Sequence, residues 1–381
     1  MTARGRALAI LTALSVFVAG WVVFVARWSG PAGAGPDRGF GVAGARAAAL
    51  DAFGDQLLIW APGGLSEREV GLVRDSTRVA AISAVRTGLL AVASGRRGSY
   101  RVVPVEAMGV DPDAYGAAAG RAGGKLASML DRGAVLSRTG AGLRRLRPGG
   151  RLRLAGGSSL RVTGVVDDAL LAGYEVALDR DVSGRYGVRR ASYLLVRPRG
   201  PLTGLEAAVR GLLKGRPVQF ALAADRRFLR GEDGALPLSL VKARFGEFAL
   251  PSLRRGGPDP GWTRSNLVTR RVPVLGRVRC HRMVVEDLAA AMGDLQRRKL
   301  DGLVDAAEVR RRGGCWSRRL LRGRDGRLTR YAWGTAVAFQ AASPPAGRPA
   351  LDQRVLKAMA GHGFAWVGHG GAHFEWVGAG A

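Results

Sequence analysis

Hydrophobic and polar positions along the chain fall into three patterns. The first is the uncharged run Ala7 to Ala26, with Arg4 and Arg6 before it and Arg27 and Trp28 after it. As a helix at about 1.5 Å per residue it spans roughly 30 Å, the thickness of one bilayer core. No polar face interrupts the run, which argues against a buried core helix. The flanking arginines predict a cytoplasmic N-terminus, with everything from residue 30 outside. A cleaved signal peptide ending near Ala32-Gly33-Ala34 is the alternative, although its apolar core is usually about 7–15 residues. Ser29 to Gly41, rich in Gly, Pro and Ala, reads as a flexible tether.

The second pattern is short apolar runs bounded by turn residues. Val79–Val85, Leu89–Val92 and Tyr100–Val105 predict strands, and Ala117–Leu130 predicts a short helix. Arg151–Val166 alternates polar and apolar positions between the turn signals Gly149-Gly150 and Gly156-Gly157. Arg144 to Asp168 resembles the small β-rich extracytoplasmic modules of membrane permeases, but a generic β-meander gives the same pattern and is the reading adopted. Gly204–Leu213 predicts a helix. Pro217 to Arg255 predicts extended chain broken by Pro237 and Pro251, and Gly256-Gly257-Pro258-Asp259-Pro260-Gly261 reads as a linker.

The third pattern is helical periodicity near the C-terminus. Val285, Leu288, Met292 and Leu295 share one face, predicting an amphipathic helix over Val285–Leu295. Asp352 is placed to N-cap a helix over Gln353–Ala360 that Gly361 ends. Gly363–Val367 and His373–Val377 predict two strands. The architecture expected is α+β. Residues 1–28 form a cytoplasmic tip and transmembrane helix, and 29–46 a tether. Residues 47–215 form a mixed domain, 216–262 an extended segment and linker, and 263–381 a compact final domain.

Composition narrows the chemistry. Of 59 basic residues only five are Lys, and the formal net charge is +29. Part of that Arg excess reads as codon bias; the remainder implies an outer field attractive to anions. Two Cys exclude a disulfide-dense scaffold and a four-Cys zinc site, and four His leave little material for metal. The basic stretch Arg310 to Arg330 carries only one aromatic, Trp316, so it lacks the stacking platforms of a nucleic-acid groove and no nucleic-acid partner is expected. It reads as a solvated loop, with anionic wall polymers or lipid headgroups as its other candidate contacts. His281 reads as a structural histidine. His362, His369 and His373 cluster in sequence, but the glycines between His369 and His373 argue against one helix face presenting both.

Two ordered segments carry a family resemblance. Thr329-Arg330-Tyr331-Ala332-Trp333-Gly334-Thr335-Ala336-Val337-Ala338 resembles the first signature of the zinc D-alanyl-D-alanine carboxypeptidase-like family, which includes L-alanyl-D-glutamate endopeptidases. That signature reads His-x-x-Gly-x-Ala-x-Asp. Gly363-Phe364-Ala365-Trp366 followed by Ala372-His373-Phe374-Glu375 resembles the second, Gly-Phe-x-Trp, a short loop, then Asp-x-x-His-Phe-Glu. Phe245-Gly246-Glu247-Phe248, Pro273-Val274-Leu275-Gly276, Cys280-His281-Arg282 and Gly314-Cys315-Trp316 are similar to the frame of an extracytoplasmic branch. The resemblance covers roughly residues 240 to 381. Because Cys280 and Cys315 both lie in that exported frame, it implies that they pair as a disulfide.

The departures bear on function. Tyr331 stands where the family places its first zinc ligand, Ala338 at the second, and only His373 is retained. The acid/base carboxylate falls at Gly370, in a shortened loop. Zinc hydrolysis needs three ligands, an open water position and a carboxylate to move protons. The resemblance therefore implies a pseudo-peptidase: a membrane-anchored extracytoplasmic protein that binds peptidoglycan peptides, an anionic wall polymer or a protein partner, with no cofactor. Trp333, Gly334, Trp366, His369 and Glu375 are candidate groove positions. The alternative is an active metallopeptidase holding zinc in a site rearranged around His362, His369, His373 or Glu375. A salt-sensitive electrostatic adaptor is the reading from a third class.

Overall fold

Leu57 and Ile59 face one side of the strand Leu57–Trp60 (β1), and Leu58 and Trp60 face the other; all four are buried because both sides are covered. β1 sits inside a large sheet completed by Val79–Ala93 (β2), Val102–Val110 (β3), Ala134–Ser137 (β4), Arg151–Arg153 (β5), Ser159–Val166 (β6), Val176–Asp179 (β7), Arg190–Pro198 (β8) and Gln219–Leu222 (β9). The nine strands run in the order β5-β6-β4-β7-β3-β2-β8-β1-β9. Pairing is antiparallel except for β3 with β7 and β4 with β6. The computed structural model describes residues 56–95, 98–130, 133–223, 235–253, 256–311, 313–317, 321–322, 327–339, 352–367 and 373–378. The predicted span Ala7–Ala26 and its tether lie outside these residues; among the described residues no helix is long and apolar enough to cross a membrane.

Helices pack on both sides of the sheet. Glu67–Arg74 (α1) begins in a capping box in which Ser66 and Glu69 satisfy each other's backbone donors. Pro112–Ala127 (α2) starts earlier than its apolar periodicity suggests, because Asp111 caps it and Pro112 occupies the first turn. Arg138–Arg144 (α3), Arg180–Arg185 (α4) and Leu202–Leu212 (α5) complete this half. Val70 and Val73 of α1 and Leu205 and Val209 of α5 bury against Leu57, Ile59, Leu194 and Val196, and Tyr115 and Ala119 of α2 bury against the opposite face. The strands expected at Val79–Val85 and Leu89–Val92 are one fifteen-residue strand, whose register shifts between Val79 and Ala81 and between Val85 and Arg86.

The segment expected to be extended differs most from its pattern. Leu238–Phe245 is a helix (α6), and five of its eight side chains are buried. The glycine- and proline-rich stretch after it is no free linker. Asp259, 5% exposed, accepts from Ala249 N at 3.1 Å and from Trp262 N at 2.9 Å, capping Pro260–Asn266 (α7). An Asp-Pro pair marks a helix start as readily as a turn, and the buried carboxylate decides between them.

Lys242 of α6 ties this segment to the sheet. Its ammonium group has no exposed surface and bonds to Pro104 O, to Glu175 Oε1 at 2.7 Å and to Glu247 Oε1 at 3.3 Å. Arg144 bridges the other oxygen of Glu175 at 2.8 Å and Glu247 at 2.9 Å, and Glu106 N donates to Glu175 at 3.1 Å. Residues from Gln56 onward accordingly belong to one compact unit.

The C-terminal part is a satellite α+β arrangement on its own core. Leu267–Val272 (β10) and Gly276–His281 (β11) form a hairpin, followed by Val285–Arg297 (α8) and Ala306–Arg311 (α9). Leu321–Arg322 (β12) pairs with Arg327–Leu328 (β13). Ala336–Ala338 (β14), Phe364–Trp366 (β15) and His373–Trp376 (β16) form a sheet in the order β14-β16-β15, with Gln353–Gly361 (α10) before β15. Both helices expected from periodicity are present, with Asp352 capping α10. Cys280 of β11 and Cys315 are joined as a disulfide, with Cα atoms 4.8 Å apart.

Candidate functional site

The strand register brings the three family-matched positions to one point. Ala338 is the direct Cα partner of His373 across β14 and β16. Tyr331, in the 3-10 turn Arg330–Trp333 just before β14, sets its hydroxyl 3.3 Å from His373 Nδ1, with ring centroids 5.4 Å apart. His373 Nε2 lies 3.3 Å from Glu375 Oε1. A carboxylate only accepts, so Nε2 donates to Glu375, while Nδ1 meets the Tyr331 hydroxyl. The result is a Tyr331–His373–Glu375 relay.

Glu375 is sealed from behind. Its Oε2 accepts from Ala235 N at 2.9 Å and stands 3.7 Å from Arg330 Nε, while Arg330 Nη2 donates to Leu236 O at 2.6 Å. Burial alone would raise the Glu375 carboxyl. The His373 hydrogen bond, the Arg330 charge and the Ala235 N–H outweigh it and hold that carboxyl below the ordinary glutamate range. Arg330 was hidden in the sequence by its membership of a long basic stretch; its position directly before Tyr331 was the only available signal. The contribution of Ala235 and Leu236 is through backbone atoms and had none.

The candidate groove positions separate. Side chains alternate across a strand, so His373 and Glu375 share one face of β16 with their partners Ala338, Ala336 and Ala365. Trp366 is the partner of Phe374 and belongs to the opposite face, which corrects its placement in the groove. Trp333 is fully buried, donates to Gly246 O at 3.0 Å and packs on Phe248, so it is core. Gly334 has φ 71°, and a Cβ there would stand 2.7 Å from His281 N; its role is the close approach of this turn to β11. His369 and Gly370 lie outside the described residues.

Zinc does not fit this donor set. Ala338 offers no side-chain donor, Tyr331 is spent on His373, and both imidazole nitrogens of His373 are engaged. His362 stands instead 4.0 Å from Asp294 on α8. Among the described residues no group of three His, Cys, Asp or Glu side chains could hold a metal ion.

His281, the fourth histidine, is buried with its ring edge-on to Phe245 and its Nδ1 accepting from Met283 N at 3.2 Å. Burial, helped by the charge of Arg282, pushes it down to about 4. The folded ring stays neutral where the unfolded one, near 6.5, takes a proton. The unfolded state therefore binds more protons between pH 6.5 and 4, and stability falls as pH falls through that window. At about 1.4 kcal/mol per unit the full loss is on the order of 3 kcal/mol. Urea midpoints measured across this range should decline for the parent and flatten for His281→Phe; an unchanged acid slope in the variant would contradict the assignment.

No known protein family matches the chain, and no curated protein matches it. Among solved structures it is similar to the periplasmic region of MacB from Actinobacillus actinomycetemcomitans, with 12% identity, 46% of this chain and 91% of that chain covered, and a TM-score of 0.34. It is also similar to the extracellular domain of YknZ, a noncanonic ABC-type transporter from Gram-positive bacteria, with 13% identity, 44% and 100% covered, and a TM-score of 0.32. Likeness at this level fixes neither the fold nor the function of the chain.

Proposed function

We propose that this chain is a membrane-anchored extracytoplasmic protein whose final domain is a carboxypeptidase-like pseudo-peptidase, binding cell-wall peptides without cleaving them. One observation carries the reading. Tyr331, Ala338 and His373, the positions that match the family's ligands, converge on one point, yet together they supply a single imidazole already engaged on both nitrogens. His373 is the partly exposed side chain of this face, and the buried Glu375–Arg330 pair stands behind it. The Cys280–Cys315 bridge supports an oxidising compartment, which agrees with the topology expected from the N-terminal run.

Metal analysis with a peptide assay tests this. The purified parent should carry no stoichiometric zinc and should leave peptidoglycan stem peptides intact in zinc-supplemented buffer. Tyr331→His with Ala338→Asp should gain zinc, because three ligands then meet at one point. Parent turnover that disappears in His373→Ala would overturn the reading and make the Tyr331–His373–Glu375 relay an active site.

A further inference from the structure

The nine-stranded sheet curls until β5 meets β2. Ala155 N donates to Ala91 O at 2.8 Å, and Leu154 bridges to Val92. Strands β2, β3, β7, β4, β6 and β5 thus enclose one apolar core, with Val92, Val105, Val176, Leu136, Val162 and Leu152 turned inward. Side chains alternate across a strand, so the residues between these in the β5–β6 hairpin point outward. Arg151, Arg153 and Arg161 hold such positions, and all three are exposed.

The register makes this outer face costly. Val162 N donates to Gly150 O at 2.9 Å and Leu154 N to Ser158 O at 2.8 Å, so Gly150–Val162 and Leu154–Ser158 are hydrogen-bonded pairs. Arg151 and Arg161 are directly opposite each other between them. They fall at a non-hydrogen-bonded position, where facing side chains come closest. Like charges placed there destabilise a hairpin. Arg153 stands on the same face, about 7 Å along the strand from Arg151. Ser159 Oγ takes Nε of Arg151 at 2.9 Å, which leaves the two terminal nitrogens of that guanidinium. Arg145 and Arg147 lead into the hairpin through the turn that Gly150 N closes on Arg147 O. From Arg145 to Val166 the chain holds no Asp, Glu or aromatic residue. Asp167, the first acid after it, pairs with Arg138 at 2.6 Å. Among the described residues none of these five arginines pairs with a carboxylate.

An anion that accepts from two guanidinium groups at once turns this repulsion into binding. The two oxygens of a carboxylate fill one guanidinium fork, whereas a phosphate has further oxygen for a second. The outer face of the barrel is convex, so affinity there must be summed from contacts along a chain. No aromatic platform is present for bases to stack on. The hairpin tip, Ala155-Gly156-Gly157-Ser158, has no large apolar side chain to enter a bilayer. We propose that the outer face of the β5–β6 hairpin docks a linear phosphate polymer, with Arg151 and Arg161 sharing one phosphate and Arg153 taking the next. This surface is separate from the His373 face, and its test does not depend on the peptide reading.

Titration of the full-length protein with medium-chain polyphosphate at fixed ionic strength should saturate, and inorganic phosphate should bind at least about tenfold more weakly. Arg151→Ala with Arg161→Ala should weaken polyphosphate about tenfold. It should also reduce the slope of log affinity against log salt by about 1.4, near 0.7 for each lost contact. The thermal midpoint of this variant should match or exceed that of the parent, since a repulsion is removed. Arg151→Lys with Arg161→Lys should keep the parent salt slope yet still lose affinity, because an ammonium group has no fork. Arg271→Ala with Arg277→Ala is the control. It removes the same charge from the exposed, directly opposed pair of the β10–β11 hairpin, where Glu286 already pairs with neighbouring Arg270 at 3.4 Å, and should change affinity less than about twofold. Equal losses in the two alanine pairs would mean only the protein's net field. Polyglutamate binding as tightly as polyphosphate would mean a general polyanion surface. Phosphatidylglycerol vesicles binding more tightly than polyphosphate, and released by the Arg151 and Arg161 substitutions, would make the face a membrane contact. Any of these, or no saturable binding of polyphosphate, overturns the proposal.

Discussion

Replacing Lys242 with Met should lower the unfolding free energy by about 3–5 kcal/mol, the usual cost of removing one partner from a fully buried ion pair. At 0% side-chain exposure, Lys242 and Glu175 have no water to fall back on. Methionine fills similar volume, so the loss reports the orphaned charge and the unbonded Pro104 carbonyl rather than a cavity. In the parent, burial alone would raise the Glu175 carboxyl, but Lys242, Arg144 and the Glu106 N–H outweigh it and depress it. A depressed carboxyl contributes stability that is present above the unfolded value and is lost as pH falls through the folded one. Without Lys242, burial wins more of the balance and Glu175 is driven toward its protonated form. The gap between parent and variant should therefore be widest near neutral pH and should narrow on acidification. Thermal scans should show a drop of roughly 10 °C at pH 7, and Glu175→Gln in the Lys242→Met background should recover part of it. A loss under about 1 kcal/mol would mean that the ammonium group is hydrated.

Opening the Cys280–Cys315 bridge should cost about 4 kcal/mol in the chain-entropy account, given the 35-residue separation it closes. Both sulfur-bearing residues are buried, Cys280 at 0% and Cys315 at 1%, so reduction requires local opening of the hairpin first. Thermal denaturation with and without reductant should separate by several degrees for the parent and coincide for a Cys280→Ala/Cys315→Ala protein. Hydrogen exchange should locate the lost protection in β10–β11 and α9, which the bridge joins, and leave the nine-stranded sheet unchanged. Uniform loss across both regions would show instead that the two halves unfold as one cooperative block.

These two effects also mark where sequence reading succeeded and where it stopped. The cysteine pair was readable because two thiols in an exported frame leave one pairing. The helices at Val285–Arg297 and Gln353–Gly361 were readable because a repeat near 3.6 residues and an Asp cap are local signals. The β5–β6 hairpin followed from alternation between two glycine turns. Positions 331, 338 and 373 stand in local segments separated by some forty residues, and their identities, Tyr, Ala and His, show without any structure that they offer few metal donors.

What lies between distant segments was not legible. Lys242 sits in a stretch that Pro237 and Pro251 make look extended, and it forms a helix because its apolar neighbours find a core and its ammonium finds Glu175, 67 residues away. Asp259 looks like part of a linker until Ala249 N and Trp262 N converge on its carboxylate. Trp366 and His373 look like neighbours in one motif, yet strand alternation about Phe374 assigns them to opposite faces of the sheet. The sequence by itself determined the elements whose periodicity and caps are local, and the shortage of metal donors at positions 331, 338 and 373, because propensity, caps and donor atoms are properties of single residues and short windows. Only the tertiary structure decided the nine-strand order, the Tyr331–His373–Glu375 contacts with Arg330 behind them, and the buried Lys242–Glu175 pair. Each depends on pairings across long stretches of chain, whose energy comes from burial and charge desolvation that no local window contains.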